Sequence, residues 1–236
     1  MELADKMESI LIKLSGEFLC SPKGFDYAHL KNFVNQIKQL SKSYKIGIVV
    51  GGGNFFRASK QGCELKMRQT NADSVGMLAT VMNGLILQDI LNQVDLNSTV
   101  LSAFSIDSVA PRINQTLIDS VLAENKIIIF VGGTGNPFFT TDTNAVLRAL
   151  QIGAKQVWKA TKVDGVYSAD PLIDKNAKKF KKIEYTKVIE NNLKIVDTTA
   201  ITLAAENKVI IRVFNVFEKD ALLKVAKDLD FGSTIK

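Results

Sequence analysis

Three glycine-bearing segments of this chain have the composition of phosphate-binding turns. They follow runs of apolar, largely β-branched residues and comprise residues 13–16 (KLSG), 51–54 (GGGN) and 133–136 (GTGN). A strand that ends in a turn of Gly, Ser, Thr and Asn leaves backbone N–H groups unpaired, and these line a concave surface that a phosphate group can fill. One such turn is common, whereas three of them indicate polyphosphate chemistry.

Two cations accompany the first two segments. Lys13 stands one residue before the end of its predicted strand, where its compact ammonium charge could stabilise a phosphoryl group during transfer. The alternative is an exposed lysine on an edge strand, which is the commoner situation for a lysine considered alone. Arg57 lies one helical turn beyond the triple glycine and could bind a phosphate with two N–H groups. The triple glycine is equally typical of a tight strand-to-helix turn.

The third segment continues into a stretch with a different chemical character. Residues 133–142 combine hydroxyl groups, an amide, two aromatic rings and a carboxylate, which suits a polar planar base held against apolar walls. Asp142 also precedes a predicted helix, so its alternative role is that of an N-cap. Residues 159–167 offer a second cation, Lys159, and the ring of Tyr167 for a purine. Their alternative is a type I′ turn at residues 164–165 with the tyrosine in the core.

Several familiar patterns are absent from the sequence. No Gly-Lys pair occurs, which excludes a Walker A loop, and Phe56 and Phe138 occupy the final glycine positions of G-x-G-x-x-G. Ordinary P-loop kinases and dinucleotide-binding dehydrogenases are therefore disfavoured. His29, the only histidine, lies on a predicted polar helix face, which argues against a catalytic role. Cys20 and Cys63 lack metal-ligand spacing and are expected to be reduced thiols.

The elements that must position these residues alternate along the chain. Strands are expected at residues 10–14, 45–50, 98–103, 126–131, 155–160 and 209–213, and helices at 27–40, 72–94, 112–124, 143–152, 198–206 and 218–228. This alternation predicts an α/β protein with a mainly parallel sheet covered on both faces. Turn signals within residues 161–186 predict a hairpin and a flap. We expect one domain, residues 1–236, with a weak division near Gly153.

Composition limits the classes of protein to consider. The chain has 236 residues and a formal net charge of +6. Its lysines are spread along the chain except for a dense run at residues 175–187, which predicts an exposed loop that either meets phosphates or is merely solvated. No unbroken apolar run approaches the roughly 20 residues that span a bilayer, and residues 1–9 lack the features of a signal peptide. We therefore expect a cytoplasmic protein without a membrane partner.

Taken in order along the chain, these segments resemble the amino-acid kinase superfamily and, within it, the bacterial uridylate (UMP) kinases. The resemblance rests on residues 13–17, 51–57, 76–84, 133–142, 159–167, 169–171 and 211–215. The first two segments are shared across the superfamily, whereas residues 76–84 and 133–142 are much more specific to UMP kinases. The resemblance implies a three-layer αβα sandwich around a mainly parallel sheet, a homohexamer, and transfer of the γ-phosphoryl group of ATP to UMP. Magnesium would accompany the ATP.

The resemblance also implies roles for individual residues. ATP would be bound by Lys13, Leu14, Ser15, Gly16, Gly53, Arg57, Thr161, Tyr167 and Asp170. UMP would be bound by Gly52, Asp73, Thr134, Gly135, Asn136, Pro137, Phe138, Phe139, Thr140 and Thr141. Catalysis would depend on Lys13, with Asp142 as an organising carboxylate and Lys159 as a second cation. No metal ligand in the chain is implied, so Mg²⁺ would be held mainly by the ATP phosphates. Residues 1–153 would form an acceptor-binding lobe and residues 154–236 an ATP-binding lobe.

Three other functions compete with phosphorylation of UMP. An acetylglutamate, aspartate or carbamate kinase of the same superfamily would need a cationic clamp for its acceptor, which residues 133–142 do not offer. A nucleotide- or oxyanion-storing protein of this fold could lack Lys13 or the acceptor site, and both are present here. A nucleic-acid-binding regulator would need clustered arginines and exposed aromatic rings, of which only residues 175–187 give a hint.

A departure from the family pattern concerns regulation. Gln88 stands where several relatives have an arginine, in a helix that is linked to the response to GTP. Activation by GTP and inhibition by UTP are therefore left open for this chain.

Overall fold

The strands and helices of the protein follow the predicted alternation. A computed structural model of the chain describes residues 7–22, 24–171 and 173–236, so most of the segment used to argue against a signal peptide lies outside the described residues. The strands are β1 (Glu8–Leu14), β2 (Cys20–Ser21), β3 (Gly24–Phe25), β4 (Tyr44–Val50), β5 (Ser98–Ser102), β6 (Ile127–Val131), β7 (Gln156–Thr161), β8 (Val166–Tyr167), β9 (Lys179–Phe180), β10 (Lys182–Ile183), β11 (Ile210–Asn215) and β12 (Ser233–Ile235). The helices are α1 (Tyr27–Leu40), α2 (Gln69–Asn92), α3 (Gln115–Ala123), α4 (Thr141–Gln151), α5 (Tyr185–Glu190), α6 (Thr198–Asn207) and α7 (Ala221–Lys227). A 3₁₀ turn follows β1 at Gly16–Leu19, and a π-helical turn precedes α2 at Ala58–Gly62.

Eight strands form one mainly parallel sheet, which confirms the predicted fold class. Their order is β10-β12-β11-β7-β1-β4-β6-β5. All six predicted strands lie in it and pair in parallel, while β12 runs antiparallel to β11. β1 is therefore central, with β4 on one side and β7 on the other. This position is incompatible with the alternative of Lys13 as a surface lysine on an edge strand.

Helices cover both faces of the sheet and enclose two apolar cores. One core packs the inner faces of α1, α2 and α7 against Ile10, Ile12 and Leu14 of β1. The other packs α3, α4 and α6 against the opposite face of the same sheet, where Leu11 lies. Successive side chains of a strand point to opposite faces, so a central strand that is covered on both sides must be apolar almost throughout. The predicted three-layer αβα sandwich is confirmed.

Helix α1 illustrates how locally the helices are encoded. Its buried residues recur with the period of a helix: Leu30, Phe33, Val34, Gln36, Ile37 and Leu40. Asp26 caps the first turn, because its side chain accepts a hydrogen bond from the backbone N–H of His29 at 3.0 Å. The predicted bounds of this helix are correct at both ends.

Helix α2 is the longest helix and differs from its prediction in two respects. It starts three residues earlier than predicted, and apolar side chains on its outer side, Val75, Leu78 and Met82, are exposed. By length and composition alone it could cross a membrane, although a core helix of a soluble protein passes the same test. The sequence prediction considered only unbroken apolar runs, and α2 meets the criterion only when its interspersed polar residues are included.

The region between β7 and α6 is the least predictable part of the fold. β8 pairs with β9, so the predicted hairpin exists, but its two strands are joined by residues 168–178. A type I′ turn at Asp164 and Gly165 was a wrong alternative, since neither is among the residues with positive φ. The basic run at residues 175–187 is an exposed loop only in part, because β9, β10 and the start of α5 lie within it.

Candidate active site

Two lysines and one carboxylate meet where the central strands end. Lys13 of β1 and Lys159 of β7 are register partners in the parallel sheet, so both side chains point to the same face. Asp142, the second residue of α4, lies between them: its Oδ1 is 3.1 Å from the Lys13 ammonium group, and its Oδ2 accepts a hydrogen bond from Lys159. The structure thus brings together the three residues that the sequence singled out for catalysis.

The electrostatics of this cluster are set by burial and by mutual attraction. Burial would raise the pKa of the Asp142 carboxyl, but the charges of Lys13 and Lys159 outweigh it and hold this pKa below its ordinary value. Burial lowers the pKa of the Lys159 ammonium group, and the attraction of Asp142 only partly opposes this. The ammonium groups of Lys13 and Lys159 thus share the one carboxylate of Asp142, which gives this end of the sheet an excess of positive charge.

Asp142 is not the N-cap that the sequence offered as its alternative role. Thr140 caps α4 instead, because its hydroxyl oxygen accepts hydrogen bonds from the backbone N–H groups of Asp142 and Thr143. Thr140 in turn donates to the carboxylate of Asp197, which also accepts from the Thr143 hydroxyl at 2.9 Å. With the capping role filled, the Asp142 side chain is available for the lysines. The sequence did not single out Asp197, because an aspartate at this position is typical of a helix N-cap. It does cap α6, in addition to accepting the two threonine hydroxyl groups.

The first two glycine segments pack against each other. A Cβ atom at Gly16 would lie 2.7 Å from the carbonyl oxygen of Gly51 and 2.9 Å from the amide nitrogen of Gly53. A Cβ atom at Gly52 would lie 2.6 Å from the carbonyl oxygen of Gly76 in α2. Glycine is required at both positions because the backbones approach so closely. The turn after β1 and the triple glycine are therefore in direct backbone contact, and Gly52 lies against α2.

A buried amide network fixes the triple glycine. Asn83 of α2 is fully buried and donates hydrogen bonds of 2.7 Å to the carbonyl oxygen of Gly51 and to the side-chain oxygen of Asn54. Asn54 returns a hydrogen bond of 3.0 Å to Asn83 and contacts the sulfur of Cys20 at 3.4 Å. Since buried amides with several partners fix local geometry, this turn is rigid rather than a flexible connector. Leu14 adds to it by accepting the N–H of Gly51 at 2.9 Å.

Arg57 forms an ion pair with Glu17, which was not predicted from the sequence. The carboxylate of Glu17 bridges the guanidinium of Arg57 and the ammonium of Lys162, the latter at 3.0 Å. The hydrogen bond from Lys162 and the charges of both cations lower the pKa of Glu17. Arg57 is about half exposed, so this pairing is open to exchange with another anion.

The β6–α4 loop, residues 132–140, carries most of the side chains predicted to receive a base. Phe138 and Phe139 are 71% and 51% exposed, so their rings are available to a ligand. Asp73 of α2 reaches this loop and accepts the backbone N–H of Phe138 at 2.8 Å. Thr134 and Asn136 are hydrogen-bonded to each other within the turn. The structure therefore brings Asp73 of α2 into contact with this loop, which leads directly into α4.

A cavity of about 620 Å³ lies beside the β8–β9 hairpin; we call it the hairpin cavity. Two of the residues predicted to bind ATP, Tyr167 and Asp170, line this cavity, whereas a third, Thr161, does not. Its other wall, residues 191–195, escaped the sequence analysis because it has no periodicity and no recognised motif. The Lys159 ammonium group donates a hydrogen bond to the carbonyl oxygen of Ile195, which joins this wall to the lysine cluster.

The described residues offer no protein cage for a metal ion. No three His, Cys, Asp or Glu side chains lie together within residues 7–22, 24–171 and 173–236. Asp142, the nearest carboxylate to the lysines, is already neutralised by them. A divalent ion that arrives bound to a polyphosphate would fit this arrangement, because Mg²⁺ takes many of its ligands from substrate phosphates and water.

His29 does not lie on a polar helix face as predicted. Its ring packs between Phe18, at a centroid distance of 4.4 Å, and Phe217, at 4.9 Å. Burial among these rings lowers its pKa, with the charge of Asp26 opposing. The side chain thus serves the packing between α1 and its neighbours.

Comparisons with known proteins agree with this geometry. The model of the amino acid kinase family matches residues 8–215. A uridylate kinase of Thermotoga maritima is 45% identical over 230 residues, which cover 96% of this chain and 98% of the relative. The UMP kinase structure from Ureaplasma parvum superposes with a TM-score of 0.93 at 35% identity, covering 98% and 99% of the two chains. The UMP kinase structure from Bacillus anthracis gives 0.92 at 31% identity, covering 97% and 96%.

Proposed function

Because the chain belongs to the amino acid kinase family, we propose that it is a UMP kinase, an enzyme that transfers the γ-phosphoryl group of ATP to UMP and releases UDP and ADP. One observation carries this proposal above the others. Lys13, Asp142 and Lys159 form a buried cationic cluster at the strand ends, between the β6–α4 loop and the hairpin cavity.

The chemistry suits such a cluster. The attacking group is the phosphate of UMP, whose second pKa is about 6, so it is already largely ionised at neutral pH and needs no strong general base. Catalysis of phosphoryl transfer rests on positioning and on stabilisation of the charge that spreads over the moving group. Lys13 and Lys159 supply this positive charge, and Asp142 holds both ammonium groups in place.

The donor nucleotide is assigned to the glycine turns and the hairpin cavity. The backbone around Leu14, Ser15, Gly16 and Gly53 binds the ATP phosphates together with Lys13 and Arg57. Arg57 exchanges its contact with Glu17 for a phosphate. Tyr167 and Asp170, which line the hairpin cavity, receive the adenosine part together with Thr161, which lies outside the cavity lining. Mg²⁺ bound to the ATP phosphates would neutralise part of their charge, with no carboxylate cage from the chain.

The acceptor nucleotide is assigned to the β6–α4 loop and to α2. Gly52 faces UMP, and Asp73 binds the ribose hydroxyl groups. Uracil and its phosphate are received by Thr134, Gly135, Asn136, Pro137, Phe138, Phe139, Thr140 and Thr141. The loop offers hydroxyl, amide and aromatic groups and no cationic clamp, which favours a nucleotide base over the carboxylate acceptors of other amino acid kinases.

The higher-order properties belong to the same proposal. We expect a homohexamer that is cytoplasmic and works in pyrimidine nucleotide synthesis, with an acceptor lobe at residues 1–153 and an ATP lobe at residues 154–236. The exposed apolar side chains of α2, Val75, Leu78 and Met82, support self-association, because an apolar stripe of this kind is usually covered.

A substrate panel tests the proposal. The purified protein is mixed with ATP and Mg²⁺ and with each nucleoside monophosphate in turn, and formation of ADP is followed. We expect turnover of UMP alone, with UDP as the second product. Hydrolysis of ATP without an acceptor, or equal use of AMP, CMP and GMP, would contradict the proposed function.

A further inference from the structure

The β6–α4 loop has an unusually demanding backbone. Gly132, Gly133 and Gly135 have φ values of +75°, +58° and +82°, and Phe138 has a φ of +71°. The left-handed backbone conformation is costly for a phenylalanine. Glycine adopts it readily, but glycine is also the most flexible residue. A loop of this composition keeps a single conformation only if other groups hold it.

Thr80 of α2 holds the first glycine. Its hydroxyl oxygen accepts the buried N–H of Gly132 at 2.8 Å and donates its own proton to the carbonyl oxygen of Met77 at 2.7 Å. The residue is 7% exposed, so this hydroxyl is removed from bulk solvent. Without it the N–H of Gly132 would be buried and unpaired, which is the expensive state of a backbone donor.

Arg148 of α4 holds the second glycine. This helix packs on the opposite face of the sheet from α2. The Nη2 of Arg148 donates to the carbonyl oxygen of Gly133 at 3.1 Å, and its Nη1 donates to Gln151 at 2.6 Å. The residue is 5% exposed, and among the ion pairs of the described residues none includes it. Burial lowers its pKa to about 10, so the guanidinium stays charged at neutral pH. A buried cation without a carboxylate partner is costly, and its contact with Gly133 offsets part of that cost.

We propose that Thr80 and Arg148 are positioning residues for the acceptor, which fix adjacent glycines of the β6–α4 loop from two different helices and so set the loop for UMP. The inference rests on the proposed function, since it concerns the loop assigned to UMP. The expected effect distinguishes Thr80 and Arg148 from Asn83. Asn83 fixes the triple glycine, which we assign to both nucleotides, so its loss should raise KM for ATP as well as KM for UMP.

The test replaces Thr80 by an isostere and by a rescue residue. Thr80→Val removes the hydroxyl at nearly constant volume, and Thr80→Ser restores it. In Thr80→Val the buried N–H of Gly132 is left unpaired, which destabilises the loop conformation that binds UMP. We expect KM for UMP to rise by roughly tenfold and KM for ATP to stay unchanged. Thr80→Ser should return KM for UMP to within about twofold of the native value. Arg148→Lys, which keeps the charge but loses the planar fork, should shift the same constant in the same direction.

Gln36→Met is the matched control. Gln36 is a buried side chain whose oxygen accepts the N–H of Leu222 at 2.9 Å between α1 and α7, on another part of the molecule. This variant also strands a buried N–H, so it should lower the melting temperature and leave both KM values unchanged. If Thr80→Val behaves like the control, or raises both KM values equally, the inference is overturned. Absence of UMP turnover in the native protein would instead overturn the proposed function, and the inference with it.

Discussion

The two sides of the site are built in different ways. The β6–α4 loop is held by buried or partly buried side chains of two core helices: Asp73 and Thr80 from α2, and Arg148 from α4. The hairpin cavity is lined by Tyr167 of β8, by residues on either side of β8 and by residues 191–195, and β8 pairs with β9 through only two residues of each strand. The polar contacts of the adjoining hairpin, such as Asp164 with Lys179 at 3.0 Å and Asp164 with the Tyr167 hydroxyl at 2.8 Å, are near the surface.

This difference indicates a division of labour. A loop fixed from the core can discriminate between similar acceptors, because a poorly matched ligand cannot reshape it. A wall beside a short hairpin can adapt, since the hairpin has few paired residues and its ion pair, Asp164 with Lys179, is partly exposed and contributes little. We therefore expect changes on the acceptor side to cost more than changes on the donor side.

The largest effect should come from the lysine cluster between the two sides. Lys13→Ala should leave the fold intact and lower turnover by about 100-fold, because one charge that stabilises the transferred group is lost. Steady-state rates at saturating ATP and UMP measure this, and circular dichroism checks the fold. Near-normal turnover would remove Lys13 from the mechanism.

The acceptor side should come next. Asp73→Ala removes the carboxylate that accepts the N–H of Phe138 and that we assign to the ribose, so KM for UMP should rise by roughly tenfold. Asp89→Ala, an exposed carboxylate farther along α2, is the matched control and should have no effect. An equal rise of KM for ATP in Asp73→Ala would break the proposed separation of the two sides.

The donor side should respond less strongly. Tyr167→Ala removes a ring that lines the hairpin cavity, and we expect KM for ATP to rise by about threefold to fivefold, as is reasonable for one contact in an adaptable wall. Tyr167→Phe keeps the ring and loses only the hydrogen bond to Asp164, so it should be close to native. If Tyr167→Ala exceeds Asp73→Ala in its effect, the comparison between the two sides is wrong.

The smallest effect at neutral pH concerns the protonation of Lys159. Burial lowers its pKa from the ordinary 10.5. Its ammonium group therefore loses its proton at a lower pH than the ammonium group of a free lysine does. Turnover should therefore fall as the pH rises, and it should do so at a lower pH than the titration of an exposed lysine would allow. A pH–rate profile of the native protein measures this. A rate that stays constant up to pH 10.5, with the fold intact, would argue against Lys159 as a needed cation.

The sequence was sufficient for the sheet, the main helices and the lysine cluster. Strands of the central sheet are long and apolar on both faces, and α1 has an unbroken helical period with a capping Asp26, so local signals and tertiary structure agree. β12 has three residues and takes its antiparallel place only through its partners. Arg148 and residues 191–195 resemble ordinary helix and loop residues, because their significance arises only when distant segments meet.

The central position of β1 has a consequence for how activity appears during folding. Lys13 lies early in the chain, yet its neighbour Lys159 is more than half of the chain away and joins it only when β7 pairs with β1. Contacts between such distant residues form late and slowly, because the intervening chain must be ordered first. Recovery of kinase activity after dilution from denaturant should consequently lag behind the recovery of helical signal, and enzyme assays would report completed assembly rather than early collapse.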